Sequence, residues 1–255
     1  MSNNILIVGG TRGLGASLRD LYSRDPTKHV FATWRTESHT STDSSTTWLG
    51  GIDLTDSEVG QKLVSQIPPS TTFSTVIISA GYFGFESFDA PDWEKETRMY
   101  TTSAIAPVFL VHHLVKAGIL VEGSKVILVS SESGSITLRH ETEGGGNYAH
   151  HASKAALNMV GKLLSFDLKP VGIAVGLVHP GFMRTDMTKG VGFDKYWDVG
   201  GAVTPNEAAR SLVPFIDKFD IHKTGEYWAP RGPGDIGTAK DVLGADLPTP
   251  LQLPW

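Results

Sequence analysis

The sequence has 255 residues and no cysteine. That absence excludes a disulfide framework, thiol catalysis and Cys-ligated zinc together, and it fits a reducing compartment. No long basic run is present and the formal net charge is −5, so the electrostatic footprint of a nucleic-acid binder is missing. No apolar stretch approaches the length of a membrane span. The start, Met1-Ser2-Asn3-Asn4, runs straight into an apolar strand with neither a charged leader region nor a cleavage site. A cytoplasmic protein that meets neither membrane nor nucleic acid is expected. The pairs His112-His113 and His150-His151 are consecutive, so neither pair can face one ion from one helix. With no HExxH motif or carboxylate cluster beside them, no metal is expected. Internal repeats are absent, as is any boundary between two cores, so residues 1–255 read as one domain. A chain of this length buries most of its unfolded surface without staples.

What is present is an alternation of apolar, β-rich runs with helical patterns, the signature of a parallel sheet covered on both faces. The runs are Ile5–Val8, Val30–Trp34, Val76–Ile78, Val126–Val129 and Ile173–Val178. They are continuous rather than alternating, as doubly buried strands should be. Helices are expected over about 14–23, 56–67, 98–116, 150–168 and 205–219. In the fourth of these, Ala152, Ala155, Ala156, Met159, Val160 and Leu163 recur at helical spacing and read as a core-facing stripe. Thr204 followed by Pro205 reads as an N-cap and first turn. The Ser/Thr-rich stretch from Ser38 to Thr47 reads as a solvated loop or weak helical turn, and the tail from Asp246 to Trp255, with three prolines, cannot be helical. The fold class is α/β: a single Rossmann-type doubly wound parallel sheet.

Gly9, Gly13 and Gly15 follow the first strand and open a helix. Glycines there let the backbone turn tightly and approach a pyrophosphate seated on the helix N-terminus, so a dinucleotide site is expected at this turn. An NAD enzyme would carry an acid about twenty residues further on, where this chain has Trp34-Arg35. Arg12 lies inside the glycine turn. Two guanidiniums converging on the adenosine ribose suit a 2′-phosphate, which arginine grips bidentately, so NADP(H) is favoured over NAD(H). Asp53, in Gly51-Ile52-Asp53-Leu54, is expected at the end of a short third strand, in reach of the adenine amino group.

Along nearly its whole length the sequence resembles the short-chain dehydrogenase/reductase superfamily, and within it the small C-factor-like carbonyl reductases. The matching pieces, in order, are Gly9-Gly10-Thr11-Arg12-Gly13-Leu14-Gly15, Asp53-Leu54, Ser79-Ala80-Gly81, Ser130-Ser131, Ser153-Lys154-Ala155-Ala156-Leu157-Asn158 and Pro180-Gly181-Phe182-Met183-Arg184-Thr185. The resemblance implies that Ser131 polarises a substrate carbonyl, that Lys154 holds the nicotinamide ribose, and that Thr185 contacts the carboxamide. Pro180, Gly181 and Met183 would close on the cofactor with it.

Three positions depart from the family pattern. The proton-donating tyrosine, four before Lys154, is His150. Tyr148 cannot simply replace it, because two residues on a helix turn its ring about 200° away. Ser103 stands where the family has an asparagine in the long central helix, which interrupts the usual proton relay, and Ser79 replaces the asparagine of an Asn-Ala-Gly. An imidazole at 150 shares the helix face of Lys154 and would reach the volume of the missing phenol. The neighbouring ammonium should depress its pKa and favour the neutral ring, a better base than acid. His151, about 100° around the helix, is expected to be exposed.

A lid over residues 182–200, carrying Phe193, Tyr196 and Trp197, should line the substrate pocket. Glu132, Phe83, Phe85 and Trp93 are candidates for its walls. The leading reading is an NADPH-dependent reductase of a C=O, C=N or conjugated double bond in a small or medium apolar metabolite. An iminium fits the missing tyrosine well, since its reduction needs no proton donor. The alternative is a non-redox cyclase or isomerase of a natural-product pathway, with NADP as a structural wall and His150 as base. A regulatory nucleotide sensor is a third, disfavoured because it would have little need of Lys154. The resemblance also implies a homodimer or homotetramer packed through the helices around 98–116 and 150–168.

Overall fold

The computed structural model describes residues 3–36 and 45–255. In chain order its elements are β1 (Asn4–Val8), α1 (Gly13–Tyr22), β2 (His29–Thr33), β3 (Thr46–Leu49), α2 (Val59–Gln66), β4 (Thr75–Ile78), α3 (Trp93–Tyr100), α4 (Ala106–Lys116), β5 (Lys125–Val129), α5 (Tyr148–Leu168), β6 (Ala174–Val178), α6 (Asp186–Gly190), α7 (Pro205–Lys218), β7 (Glu226–Ala229), α8 (Ala239–Leu243) and β8 (Leu251–Gln252). The strands form one sheet in the order β3-β2-β1-β4-β5-β6-β7-β8. All neighbours pair in parallel except β7 with β8.

The continuous apolar strands are buried on both faces because helices cover both. On one side Leu14, Leu18 and Tyr22 of α1 meet Ala208, Leu212 and Ile216 of α7 over Ile5, Ile7 and Ile127. On the other, Leu63 of α2, Leu110 and Leu114 of α4, and Leu157 of α5 pack on Leu6, Val76 and Val126. Thr204 caps α7 as its sequence announces, accepting from the Glu207 amide at 3.2 Å, while the Glu207 carboxylate returns to the Thr204 amide at 2.7 Å. The sheet reverses its winding between β1 and β4, and in open α/β sheets that switch point is where ligands bind. A Cβ on Gly9 would stand 2.8 Å from Ala80, so glycine is what lets the turn after β1 lie against the turn after β4.

The structure corrects four sequence expectations. Thr46 and Thr47 belong to β3, where Thr-Thr-Trp-Leu pairs with Val30–Thr33; positions 38–44 of the Ser/Thr-rich stretch lie outside the described residues. Asp53 therefore sits in the loop beyond β3 rather than at its end. The helix expected from 98 begins at Trp93, because the Asp92 carboxylate caps it through the Lys95 amide at 3.0 Å. It is then broken by a π-helical turn at Thr101–Ile105, closed by the Ala106 amide on Thr101 carbonyl. Pro107 causes the break, since it has no N–H to offer Ser103 and its ring crowds that carbonyl.

The fourth correction reverses a face. On α5 the buried residues are Ala149, Ser153, Leu157, Asn158, Gly161, Ser165 and Leu168, while Met159 and Leu163 are 60% and 52% exposed. Small residues face the sheet because α5 lies so close to it: a Cβ on Gly161 would stand 2.7 Å from Leu177. The doubly wound parallel sheet is as expected; β7 and β8 extend it, and the proline-rich tail supplies one antiparallel edge, with Ala229 opposite Leu251 and the Leu253 amide donating to Tyr227 carbonyl at 2.8 Å.

Candidate active site

The glycine turn has the shape a pyrophosphate needs. Gly9 and Gly13 adopt φ of +92° and +56°, conformations costly for any residue with a Cβ. A Cβ on Gly15 would collide with the Gly9 carbonyl oxygen. No side chain caps α1 and no acid stands in its first turn, so the first amides and the positive end of the helix dipole face a ligand of negative charge. Leu14 is buried behind the turn, whereas Thr11 and Arg12 are exposed at its rim. Across the cleft Thr185 approaches: its methyl would lie 3.8 Å from a Cβ on Gly13.

Arg35, like Arg12, is exposed. A third guanidinium, overlooked in the sequence, touches the turn directly: Arg19 donates to Gly10 carbonyl at 3.1 Å and lies 5.1 Å over the Trp48 ring. Trp48 stacks on Trp34 at 5.2 Å, forming an aromatic wall beside the tips of β2 and β3. Asp53 spends one carboxylate oxygen on the Thr55 amide and hydroxyl, both at 2.9 Å, and Leu54 is buried beneath it. Ser79 and Ala80 both donate their amides to Val8 carbonyl, at 3.0 and 2.9 Å. Gly81 beyond them opens into free space.

Ser131 and Lys154 are brought together by glycine. A Cβ on Gly134 would stand 2.7 Å from the backbone of Lys154, so the short turn Glu132–Gly134 after Ser131 rests on α5 at that lysine. Ser131 Oγ accepts from the Ser133 amide at 3.2 Å, and the buried Tyr227 hydroxyl donates to Ser131 carbonyl. Asn158, buried on the same helix, accepts from Ser130 Oγ at 2.6 Å and donates to Gly134 carbonyl at 3.1 Å. Lys154 Nζ donates to Val129 carbonyl at 2.9 Å. Burial with no carboxylate partner lowers its pKa from 10.5 to about 8.

His150 stands in the first turn of α5 with its ring stacked on Phe83 at 4.1 Å and 26°. Phe193 meets Phe83 edge-on at 5.6 Å, and Tyr196 meets Phe193 at 6.0 Å. These rings run outward in series from one face of the imidazole, and His151 meets it edge-on at 5.7 Å. Burial first, then the charge of Lys154, lowers its pKa from 6.5 to about 3. The effect of Lys154 is as its spacing in the sequence implies, and burial adds the larger share. His151 is not exposed: it is half-buried, its Nδ1 donating to Asn147 carbonyl at 2.8 Å and its Nε2 lying 3.2 Å from Arg139. Arg139 also pairs with Glu132 and with Glu143, so Glu132 contributes to a charged cluster. Ser103 is buried inside the π-turn.

The lid residues divide. Phe193 and Tyr196 join the series of rings at His150, whereas Trp197 turns away to donate to Thr188 at 3.2 Å. Phe85 is 51% and Trp93 84% exposed. Trp93 lines a surface groove of about 510 Å³ with Thr55, Glu94, Thr97, Arg98 and Thr101 rather than stacking on His150.

One buried linkage was not foreseen. His179 Nδ1 accepts from the Glu132 amide at 3.0 Å, and its Nε2 donates to Asp235 at 3.0 Å. The position before Pro180-Gly181 was visible in the sequence, but nothing there marks Asp235 as its partner from far along the chain.

The family described as short chain dehydrogenase matches residues 3–195. The 1-hydroxy-2-glutathionyl-2-methyl-3-butene dehydrogenase of Rhodococcus sp. is 27% identical over 88% of this chain and 95% of its own. The carbonyl reductase Sniffer of D. melanogaster superposes with a TM-score of 0.77 at 25% identity over the full length of both chains. The NADPH-bound carbonyl reductase from chicken fatty liver does so at 0.79 and 20%, over 100% of this chain and 94% of that one. The match over residues 3–195 places the chain in the short-chain dehydrogenase family, and its chemistry is that of an oxidoreductase.

Proposed function

We propose that the protein is an NADPH-dependent reductase of a small or medium apolar metabolite, acting on an electrophile that needs no strong proton donor at position 150. The carrying observation is the retained pair Ser131 and Lys154 with a His150 whose ring, stacked on Phe83, is held neutral by burial and by the Lys154 charge. A C=N bond already protonated, or a conjugated double bond, fits that arrangement better than a simple ketone, whose alkoxide must be protonated. The cradle fits the cofactor: Gly9, Thr11, Arg12, Gly13, Leu14 and Gly15 would hold the pyrophosphate, Arg12 and Arg35 the 2′-phosphate, and Asp53 with Leu54 the adenine. Ser79, Ala80, Gly81, Lys154, Pro180, Gly181, Met183 and Thr185 would hold the nicotinamide half. The dinucleotide supplies the hydride.

The chain's own residues do the rest. With a conjugated double bond, Ser131 Oγ would donate to the enolate oxygen that develops, and the Lys154 ammonium, largely protonated below pH 8, would stabilise its negative charge; a protonated C=N bond becomes a neutral amine and asks neither of them. Phe83 covers one face of the imidazole, with Phe193 and Tyr196 beyond it, and Ser103 would position the backbone behind the site. Two copies or four would assemble through the π-turn, α4 and α5, whose outward faces carry Ile105, Val108, Phe109, Met159, Leu163 and Phe166.

The neutral imidazole also supports a second reading: a cyclase or isomerase in which His150 abstracts a proton and NADP is a structural wall. A panel of ketones, cyclic imines and enones, followed by NADPH absorbance, separates the two. Reductase chemistry consumes NADPH with at least one class; conversion of a substrate with NADPH unspent favours the second.

A further inference from the structure

We propose that His179 and Asp235 are positioning residues that couple the serine side of the cleft to the loop facing the nicotinamide carboxamide. The inference rests on the cofactor placement above and assigns work to two residues outside the glycine turn and the Ser131, His150 and Lys154 set.

His179 follows β6 directly and is 5% exposed. Its Nδ1 accepts the amide hydrogen of Glu132, the residue after Ser131, at 3.0 Å. That contact fixes the tautomer, because the second nitrogen must then carry the hydrogen it donates to Asp235 Oδ2 at 3.0 Å. The same carboxylate oxygen accepts the Phe182 amide hydrogen at 2.6 Å. Asp235 is 2% exposed in its side chain, and Arg231 stands 3.8 Å from its other oxygen. The hydrogen bonds from His179 and Phe182 hold its pKa below the usual carboxylate value despite burial.

One imidazole and one carboxylate therefore tie the peptide after Ser131 to the peptide that leads into Met183 and Thr185. Gly181, at φ +104°, lies directly on the pair: a Cβ there would stand 2.6 Å from Arg231 Nη1 and 3.3 Å from Asp235 Oδ2. His179 is anchored in turn by its amide on Trp228 carbonyl at 2.7 Å. A simple packing role would need no polar groups here. Buried ones survive only when each partner is satisfied, and here each contact lands on a segment that touches the cleft.

The two ends of the imidazole can be cut separately. In His179→Gln the amide nitrogen takes the place of Nε2 and keeps Asp235, while the Glu132 amide loses its acceptor. In His179→Asn the amide oxygen takes the place of Nδ1 and keeps Glu132, while Asp235 loses a donor. The proposal expects His179→Gln to bind NADPH within about twofold of the unmodified protein but to lose kcat. It expects His179→Asn, and independently Asp235→Asn, to weaken NADPH binding about tenfold, the loss of one charge-assisted hydrogen bond. Amide hydrogen exchange supplies the readout free of cofactor. Glu132 should exchange at least about tenfold faster in His179→Gln, and Phe182 in His179→Asn. Failure of the unmodified protein to bind NADPH would overturn the cofactor assignment while the exchange pattern still decides the coupling. Equal losses of affinity and kcat in all three variants, or unchanged exchange at both amides, would overturn the proposal.

Discussion

The imidazole of His150 is caught between two demands, and its titration is where they can be seen. An exposed histidine takes a proton near pH 6.5; this one, stacked on Phe83 and facing the Lys154 charge, is pushed down to about 3. Between those values the unfolded chain binds a proton that the folded protein refuses, so stability falls as pH drops from 6.5 toward 3. His150→Phe removes that loss. Urea midpoints measured across this window should converge or cross for the two proteins; parallel curves would contradict the placement of the ring. At the opposite end of the cleft, Arg35→Asp should narrow or reverse a preference for NADPH over NADH, since a bidentate phosphate contact is worth ~1.5–3 kcal/mol. Calorimetry giving the unmodified protein equal affinity for both would refute the reading of Trp34-Arg35.

The elements that build the cleft were legible to different degrees, and for physical reasons. The strands and α1 declare themselves, because doubly buried strands are continuous apolar runs and a glycine turn admits few alternatives. Gly15→Ala is the corresponding test: its Cβ would collide with the Gly9 carbonyl, so NADPH affinity should fall by more than about tenfold. Affinity unchanged in a calorimeter would mean that the turn is only a connection. α5 misled in one respect. Helical periodicity shows that a face is apolar but not what covers it, and Met159 and Leu163 point outward while Ser153, Asn158 and Gly161 meet the sheet. The π-turn at Ser103 could have been foreseen from Pro107. The Arg19–Trp48 contact and the His179–Asp235 bond could not, since each joins residues that only the folded topology brings together.

At the scale of the whole molecule, Val108 and Phe109 of α4 and Met159, Leu163 and Phe166 of α5 stand in contact with solvent, as does Ile105 of the π-turn. Light scattering of the unmodified protein at micromolar concentration should report a dimer or tetramer, and Leu163→Glu should shift it toward monomer; a monomeric unmodified protein would refute this assembly. On the proposed reading, hydride delivery to an electrophile that needs no proton from position 150 leaves the imidazole, stacked on Phe83, as a wall. The most direct test is turnover of His150→Phe on the substrate class that consumes NADPH. Retention of turnover within about threefold is expected, whereas a loss of about 10²–10⁴-fold, the size of a general acid-base contribution, would contradict the account and make His150 the proton-transfer group.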